Sequence, residues 1–260
     1  MAFEDTVAAS SKISVCGVGI DPLGLDATRT RVLDMRSREK FGYVVTPNAQ
    51  HLVNLVEGSG ELKRLYAEAA LCVNDSRVIA KVARILLGIR LPVCPGSDLT
   101  REILSELNEQ GSDATIIGMD AQFFPRLQAK FPRINFHHYN PPMGFIRSDA
   151  EVQSCLDFLS DHPAPIYFFA VGFPRQEVLA SRFSNQANAR GVGLCIGASL
   201  DFLVGAQVRA PEFMQKIGME WAFRLLQDPG RMARRYLIES PRAFWYCWKY
   251  RRETWDGFRE

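Results

Sequence analysis

Short, mostly apolar runs recur along the chain at 13–20, 43–46, 71–73, 91–95, 114–118, 134–137, 166–171 and 192–196. Between them lie longer stretches whose apolar residues return every three to four positions. Runs of the first kind read as buried strands and stretches of the second kind as helices. Their alternation predicts an α/β fold, a mostly parallel sheet with flanking helices. From about residue 209 the strand-like runs stop, and the chain divides into an α/β core over 1–208 and a helical C-terminal appendage over 209–260.

Several runs end alike, in small or polar residues placed where the next helix would open: Thr46-Pro47-Asn48, Asn74-Asp75-Ser76, Gly96-Ser97-Asp98, Gly118-Met119-Asp120, Gly172-Phe173-Pro174-Arg175-Gln176-Glu177 and Gly197-Ala198-Ser199. A parallel sheet carries such turns on its carboxyl edge. Ligands of open α/β sheets bind there, and helix N-termini turn unpaired N–H groups toward anions. Helix capping selects the same residue types, so only particular members can carry chemistry. The core is Rossmann-like in outline, but Pro22 stands where a third glycine would follow Gly17-Val18-Gly19, and no acidic residue is placed for a ribose. That argues against a dinucleotide-dependent oxidoreductase.

Composition narrows the classes further. A chain of 260 residues with 47% hydrophobic content can bury one good core and carry a modest appendage. A net charge of +2 lacks the basic field of a general nucleic-acid binder. The six cysteines form no C-x-x-C pair and mostly sit in apolar runs, as packed thiols of a reducing compartment do. The four histidines match no zinc spacing, and the sequence has no G-x-S-x-G elbow, no Walker A loop and no D-x-D pair for a metal-bound diphosphate. The first residues, with Glu4 and Asp5, do not read as an export signal. The longest apolar stretch, 163–174, is shorter than the roughly 20 residues a spanning helix needs.

Asp75 follows a short buried strand and would project at the active edge. An ordinary aspartate is ionised at neutral pH, as a general base must be; a helix cap is the competing reading. Thr46 and Asn48 put a hydroxyl and an amide at a neighbouring strand end, where capping explains Asn48 equally well. His51, one turn on, packs or faces solvent. The turn from Gly172 to Glu177 follows the most apolar run and delivers Arg175, Gln176 and Glu177, more polar groups than capping requires, so a nucleotide or sugar contact is expected there. The appendage holds 11 Lys/Arg against 7 Asp/Glu among many aromatics. An interfacial helix on anionic lipid is the leading reading, ahead of a packed cap with snorkelling arginines and of nucleic-acid stacking.

With those residues in view, the sequence resembles the WecG/TagA/CpsF family of bacterial glycosyltransferases (glycosyltransferase family 26). The resemblance rests on Val45-Thr46-Pro47-Asn48 with His51-Leu52, Asn74-Asp75-Ser76-Arg77, Gly96-Ser97-Asp98-Leu99 and the turn from Gly172 to Glu177. Its most specific block runs from Gly197-Ala198-Ser199-Leu200-Asp201-Phe202 through Arg209-Ala210-Pro211, Met214-Gln215-Lys216, Gly218 and Glu220-Trp221 to Arg224-Leu225-Leu226. Ser76, Arg175 and Ala198 depart from the commoner Gly, Lys and Gly, and the surroundings of Asp75 and Gly96 look closer to a xanthan-type β-1,4-glucosyltransferase branch.

The resemblance implies an inverting, metal-independent transferase without a cofactor, moving a hexose from a UDP-sugar to a polyprenyl-diphosphate-linked saccharide in surface or exopolysaccharide synthesis. UDP-glucose is the favoured donor, with UDP-N-acetylmannosamine and a uronic-acid donor as alternatives. It implies Asp75 as catalytic base, and Thr46, Asn48, Ser97, Arg175, Gln176, Glu177, Asp201 and the appendage's Arg224, Arg231 and Arg234 as substrate-binding residues. The expected setting is cytoplasmic, peripheral on the inner face of the plasma membrane and in contact with anionic lipid. No nucleic-acid partner is expected, and a homo-oligomer is left open. A non-catalytic module that binds a nucleotide-sugar or lipid diphosphate and recruits partners is the alternative.

Overall fold

Six of the eight apolar runs are strands of one parallel sheet in a computed structural model of the protein, which describes residues 12–206, 220–227 and 240–251 together with 211, 214 and 230. In chain order the elements begin with β1 (Ile13–Val15), β2 (Val18–Ile20), α1 (Leu25–Met35), β3 (Gly42–Val45), α2 (Ala49–Glu57), α3 (Gly60–Glu68), β4 (Leu71–Cys72) and α4 (Arg77–Val82). A π-helical turn (Ala83–Leu87) extends α4. There follow α5 (Gly96–Gln110), β5 (Asp113–Gly118), α6 (Phe124–Lys130), β6 (Asn135–Tyr139), α7 (Asp149–Asp161), β7 (Ile166–Ala170), α8 (Arg175–Ser184), β8 (Val192–Cys195) and α9 (Ser199–Leu203). Beyond the core lie α10 (Glu220–Gln227) and α11 (Ser240–Lys249).

The sheet order is β4-β3-β8-β7-β5-β6, and every adjacent pair is parallel. Successive strand residues point to opposite faces, and β7 shows the consequence. Tyr167 and Phe169 enter the core on one face, and Ile166 and Phe168 enter the other. A strand buried on both faces must be apolar throughout, which is why 166–171 is so prominent in the sequence. Helices α2, α3, α7 and α8 cover the first face, and α1, α5, α6 and α9 the second.

Two runs differ from expectation. The run 13–20 is an antiparallel hairpin, with Val15 opposite Val18 and a two-residue turn at Cys16 and Gly17, both at positive φ (55° and 73°). Such a turn matches the twist of a tight hairpin. Asp21 then ties the hairpin to the sheet: its N–H donates to the Cys72 carbonyl at 2.7 Å, and its Oδ2 accepts from the Cys72 N–H at 2.7 Å. This covers part of the outer edge of β4, which would otherwise stay open for pairing. The run 91–95 forms no strand. Pro92 and Pro95 have no N–H for a ladder, and the segment is fastened instead by Asn74, whose Nδ2 donates to the Pro92 carbonyl at 3.1 Å.

In the C-terminal stretch, α11 lies on α2 and reaches α4 and the π turn. Ala243 and Cys247 are its buried residues among those described, and the Cys247 Sγ stands 2.9 Å from that of Cys16 in the hairpin turn. Among the described residues no helix is long and apolar enough to cross a membrane.

Candidate functional site

Cys72, Val45, Cys195, Phe169, Ile117 and Tyr139 stand side by side across the six strands. Each strand therefore releases its following turn on the same edge. Asp75 comes after β4, Thr46 and Asn48 after β3, Gly197 after β8, Arg175 after β7, Asp120 after β5 and Asn140 after β6. With neighbouring strands about 4.8 Å apart, Asp75's strand is roughly 14 Å from β7 and 19 Å from β5. The edge is an extended site, and its two ends are built differently.

At the β4 end, the loop is braced from within. Asn74 is buried, its Nδ2 donating to the Ser76 and Pro92 carbonyls and its Oδ1 accepting from the Ser76 N–H. Capping of α4 falls to Ser76, whose hydroxyl accepts from the Ile79 N–H at 3.2 Å. Asp75 is thus not a cap of the helix it precedes. Its backbone N–H donates to the Pro47 carbonyl, and its Oδ1 accepts from the Gly96 N–H at 2.7 Å. The carboxylate, half-buried, is held at the N-terminus of the 15-residue α5, where the helix dipole offsets negative charge. Thr46 closes the corner: a Cβ placed on Gly96 would come within 2.9 Å of its Oγ1. Ser97, half-buried, is the next residue along α5. Asn48 does cap its helix, its Oδ1 accepting from the Gln50 and His51 N–H groups at 3.0 and 3.3 Å. His51 stacks on Phe173 with ring centroids 4.5 Å apart, joining the start of α2 to the turn after β7.

That turn presents fewer ligand groups than its sequence promised. Gln176 and Glu177 are buried, and their side chains form a chain of hydrogen bonds inside the fold. The Tyr66 hydroxyl and the Gln176 Nε2 both donate to Glu177 Oε1, at 3.1 and 3.0 Å, and Gln176 Oε1 accepts from the Gly197 N–H at 2.8 Å. Burial pushes the Glu177 carboxyl above the usual carboxylate range, against the lowering effect of those hydrogen bonds. Its Oε2 is buried with no hydrogen-bond partner among the described residues. The network clips the turn after β7 to the turn after β8. Arg175, by contrast, lines a cavity.

That cavity, of about 630 Å³, lies over the ends of β5, β6 and β7. Gly118, Met119, Asp120, Asn140, Met143 and Arg175 line it, with Asp201 from α9. His138 steadies its floor, donating from Nε2 to the Gly118 carbonyl at 2.8 Å and stacking on Phe124. Burial, and then the nearby charge of Asp120, pushes the Asp201 carboxyl upward. A cleft with apolar walls, one guanidinium and two carboxylates suits an uncharged ring with hydroxyl groups and an attached anion.

A model of the glycosyl transferase WecG/TagA/CpsF family matches residues 13–257, nearly the whole chain. The chain belongs to the WecG/TagA/CpsF family of glycosyltransferases. Relatives include the N-acetylglucosaminyldiphosphoundecaprenol N-acetyl-beta-D-mannosaminyltransferase of Staphylococcus aureus strain MRSA252, 28% identical over 230 residues that span 83% of this chain and 87% of the relative. The protein of the same name from strain MW2 is 26% identical over 228 residues, with the same shares covered.

For this WecG/TagA/CpsF member, the sequence motifs and the edge coincide, but the cleft was only partly foreseen. Gly118-Met119-Asp120 was visible as a strand end without being chosen, and Asn140 and Met143 carry no local signal, because nothing in their surroundings in sequence says that β6 lies beside β5. Tyr66 was invisible for the same reason, being 111 residues from the carboxylate it holds. Arg231 and Arg234 lie outside the described residues. Arg224 belongs to α10, but its side chain is likewise outside what is described.

Proposed function

We propose that the protein transfers a sugar from a UDP-activated donor to a polyprenyl-diphosphate-linked saccharide at a membrane surface, by a single in-line displacement with Asp75 as base and without a metal. The observation that carries this is the pairing, on one sheet edge, of a carboxylate pinned at the start of α5 with a cleft roughly three to five strand spacings away. A nucleotide-sugar is long enough to use both ends. The nucleoside would occupy the cleft beside Asp120 and Asp201, the diphosphate would cross Arg175 and the Gly197 turn, and the sugar would reach the Thr46–Asp75 corner.

In the reaction, Asp75 takes the proton of an acceptor hydroxyl as its oxygen bonds to the anomeric carbon, and the bond from that carbon to the diphosphate breaks with UDP leaving from the opposite face. A positioned base contributes roughly 10²- to 10⁴-fold, and alignment of the two substrates supplies much of the remainder. Charge gathering on the diphosphate is met by Arg175 and, by the resemblance, by Arg224, Arg231 and Arg234. The sequence has no D-x-D pair to hold a metal there.

The names of the relatives favour N-acetylmannosamine as the donor sugar and N-acetylglucosaminyl-diphospho-undecaprenol as the acceptor. The surroundings of Asp75 and Gly96, which resemble the xanthan-type branch, keep UDP-glucose as the competing donor. A panel of UDP-sugars, incubated with the polyprenyl-diphosphate-linked N-acetylglucosamine or glucose, decides the matter by product mass and released UDP. Release of UDP with one donor and a product heavier by that sugar, unaffected by EDTA, is the expected outcome. No product with any donor would overturn the transferase reading, and activity lost to EDTA and restored by magnesium would overturn the metal-free one.

A further inference from the structure

Two segments of the sequence carry basic residues and no acidic ones, and the fold brings them together. Residues 76–97 hold four Lys/Arg, and residues 240–252 hold another four; neither has an Asp or Glu. The first contains α4 and the π turn, the second contains α11, and α11 packs against both. Both elements expose large apolar side chains. Ile85 is 79% exposed, Trp245 56% and Trp248 46%, with Leu86 and Phe244 exposed beside them. Exposed apolar side chains scattered singly need no explanation, but a cluster on two touching elements does.

The outer face of α11 is the interfacial surface already expected of the appendage; we infer that the π turn at Ala83–Leu87 extends it into an anionic lipid bilayer, with Ile85 and Leu86 as an anchor supplied by the α/β core itself. Charge decides among the occupants. A second copy of the chain would bring one basic face against another. A nucleic acid would use the indoles and arginines, but Ile85 and Leu86 offer it neither stacking nor hydrogen bonds. A bilayer uses all of them: aliphatic side chains enter the acyl boundary, indoles rest at the interface and basic groups meet lipid phosphates. Arg251 already stands over the Trp248 ring, 4.2 Å from its centroid, an arrangement suited to the headgroup layer.

The anchor also sets a depth. Helix α4 begins two residues after Asp75, and at 1.5 Å per residue the step from Arg77 to Ile85 rises about 12 Å. With Ile85 at the acyl boundary, the helix can hold its first residue no more than about that far outside it, so Asp75 stays near the headgroup layer. A saccharide carried on a membrane-anchored diphosphate is presented at that level. The inference rests on the lipid-borne acceptor proposed above for its purpose, but the test of binding uses neither donor nor acceptor.

The full-length protein and its Ile85→Glu/Leu86→Glu variant are sedimented with vesicles of phosphatidylglycerol and phosphatidylethanolamine, and with phosphatidylcholine alone. The variant should lose about tenfold or more in affinity for the anionic vesicles, while transfer to a short-chain, water-soluble acceptor stays unchanged. In parallel, Ile85→Cys is labelled with an environment-sensitive dye, the six native thiols all being buried. Its emission should shift to the blue on adding anionic vesicles. Wild-type vesicle affinity in the Glu variant, or an unshifted dye, overturns the inference. So does a dimer, or an oligonucleotide complex, that the same two substitutions abolish. Failure of every sugar-transfer assay alongside intact vesicle binding would instead count against the transferase reading.

Discussion

Asp75 can be examined apart from its structural duty because the two use different properties of the side chain. The Gly96 N–H needs an acceptor oxygen, whereas proton abstraction needs a basic one. Asp75→Asn keeps the first and removes the second. Donor binding, followed by calorimetry with the UDP-sugar, should be retained while the transfer rate falls by about two orders of magnitude or more. Full turnover in that variant would reject Asp75 as base. Glu177 offers the opposite case, a carboxyl whose value is in the fold. Its folded-state pKa is raised by burial, so its contribution to stability is fully present below the ordinary carboxylate range and is lost as pH rises through the raised value. Glu177→Gln stays uncharged and keeps an oxygen for Tyr66 and Gln176. As pH rises above the ordinary carboxylate range the wild type should therefore lose stability relative to this variant, read as diverging urea midpoints. Asp75 was legible in the sequence because a strand end marks it. The burial of Gln176 and Glu177 was not, since it depends on Tyr66 and Gly197 arriving from other parts of the chain.

Among the elements, the strands were the most readable and the connections least. The strand β7, apolar at every position, announces itself; the segment with Pro92 and Pro95 imitates a strand until one asks which N–H groups could pair. The hairpin of β1 and β2 was read as one run because Cys16, a residue that seldom takes positive φ, stands in its turn. Contact between elements is where pattern reading ends, and the junction of β3 with α5 shows what it misses. Gly96 lets α5 begin so close to β3 that Thr46 Oγ1 would sit 2.9 Å from an added Cβ. Gly96→Ala should cost about 1–2 kcal/mol through this overlap. Thr46→Ala removes the offending hydroxyl, and in that background the same substitution should cost much less. Denaturation of the four proteins of this cycle measures the coupling, and strict additivity would show that the junction is looser than the geometry implies.

Across the whole molecule, the proposed membrane surface depends on what fastens α11 to the core. Two kinds of contact compete. At the rim, Arg242 pairs with Glu57 at 3.3 Å, and the Tyr246 hydroxyl donates to Glu57 at 2.8 Å, with the charged groups substantially exposed. Ion pairs of this kind are worth little in water. Beneath them, Ala243 and Cys247 are shut away against the hairpin turn and the α2 side of the core. Glu57→Ala should accordingly shift stability by less than about 1 kcal/mol. Cys247→Asp, which sets a charge beside the Cys16 thiol, should cost about 3 kcal/mol or more or release the helix outright. Hydrogen exchange separates these outcomes: the amides of Ser240–Lys249 should stay protected in the first variant and exchange rapidly in the second, while those of β3, β7 and β8 remain slow in both. If α11 couples the membrane to the site, transfer to a vesicle-borne acceptor should fall with the second variant and hold with the first. Protection of α11 lost in Glu57→Ala and kept in Cys247→Asp would mean that the helix is held by the rim contacts instead.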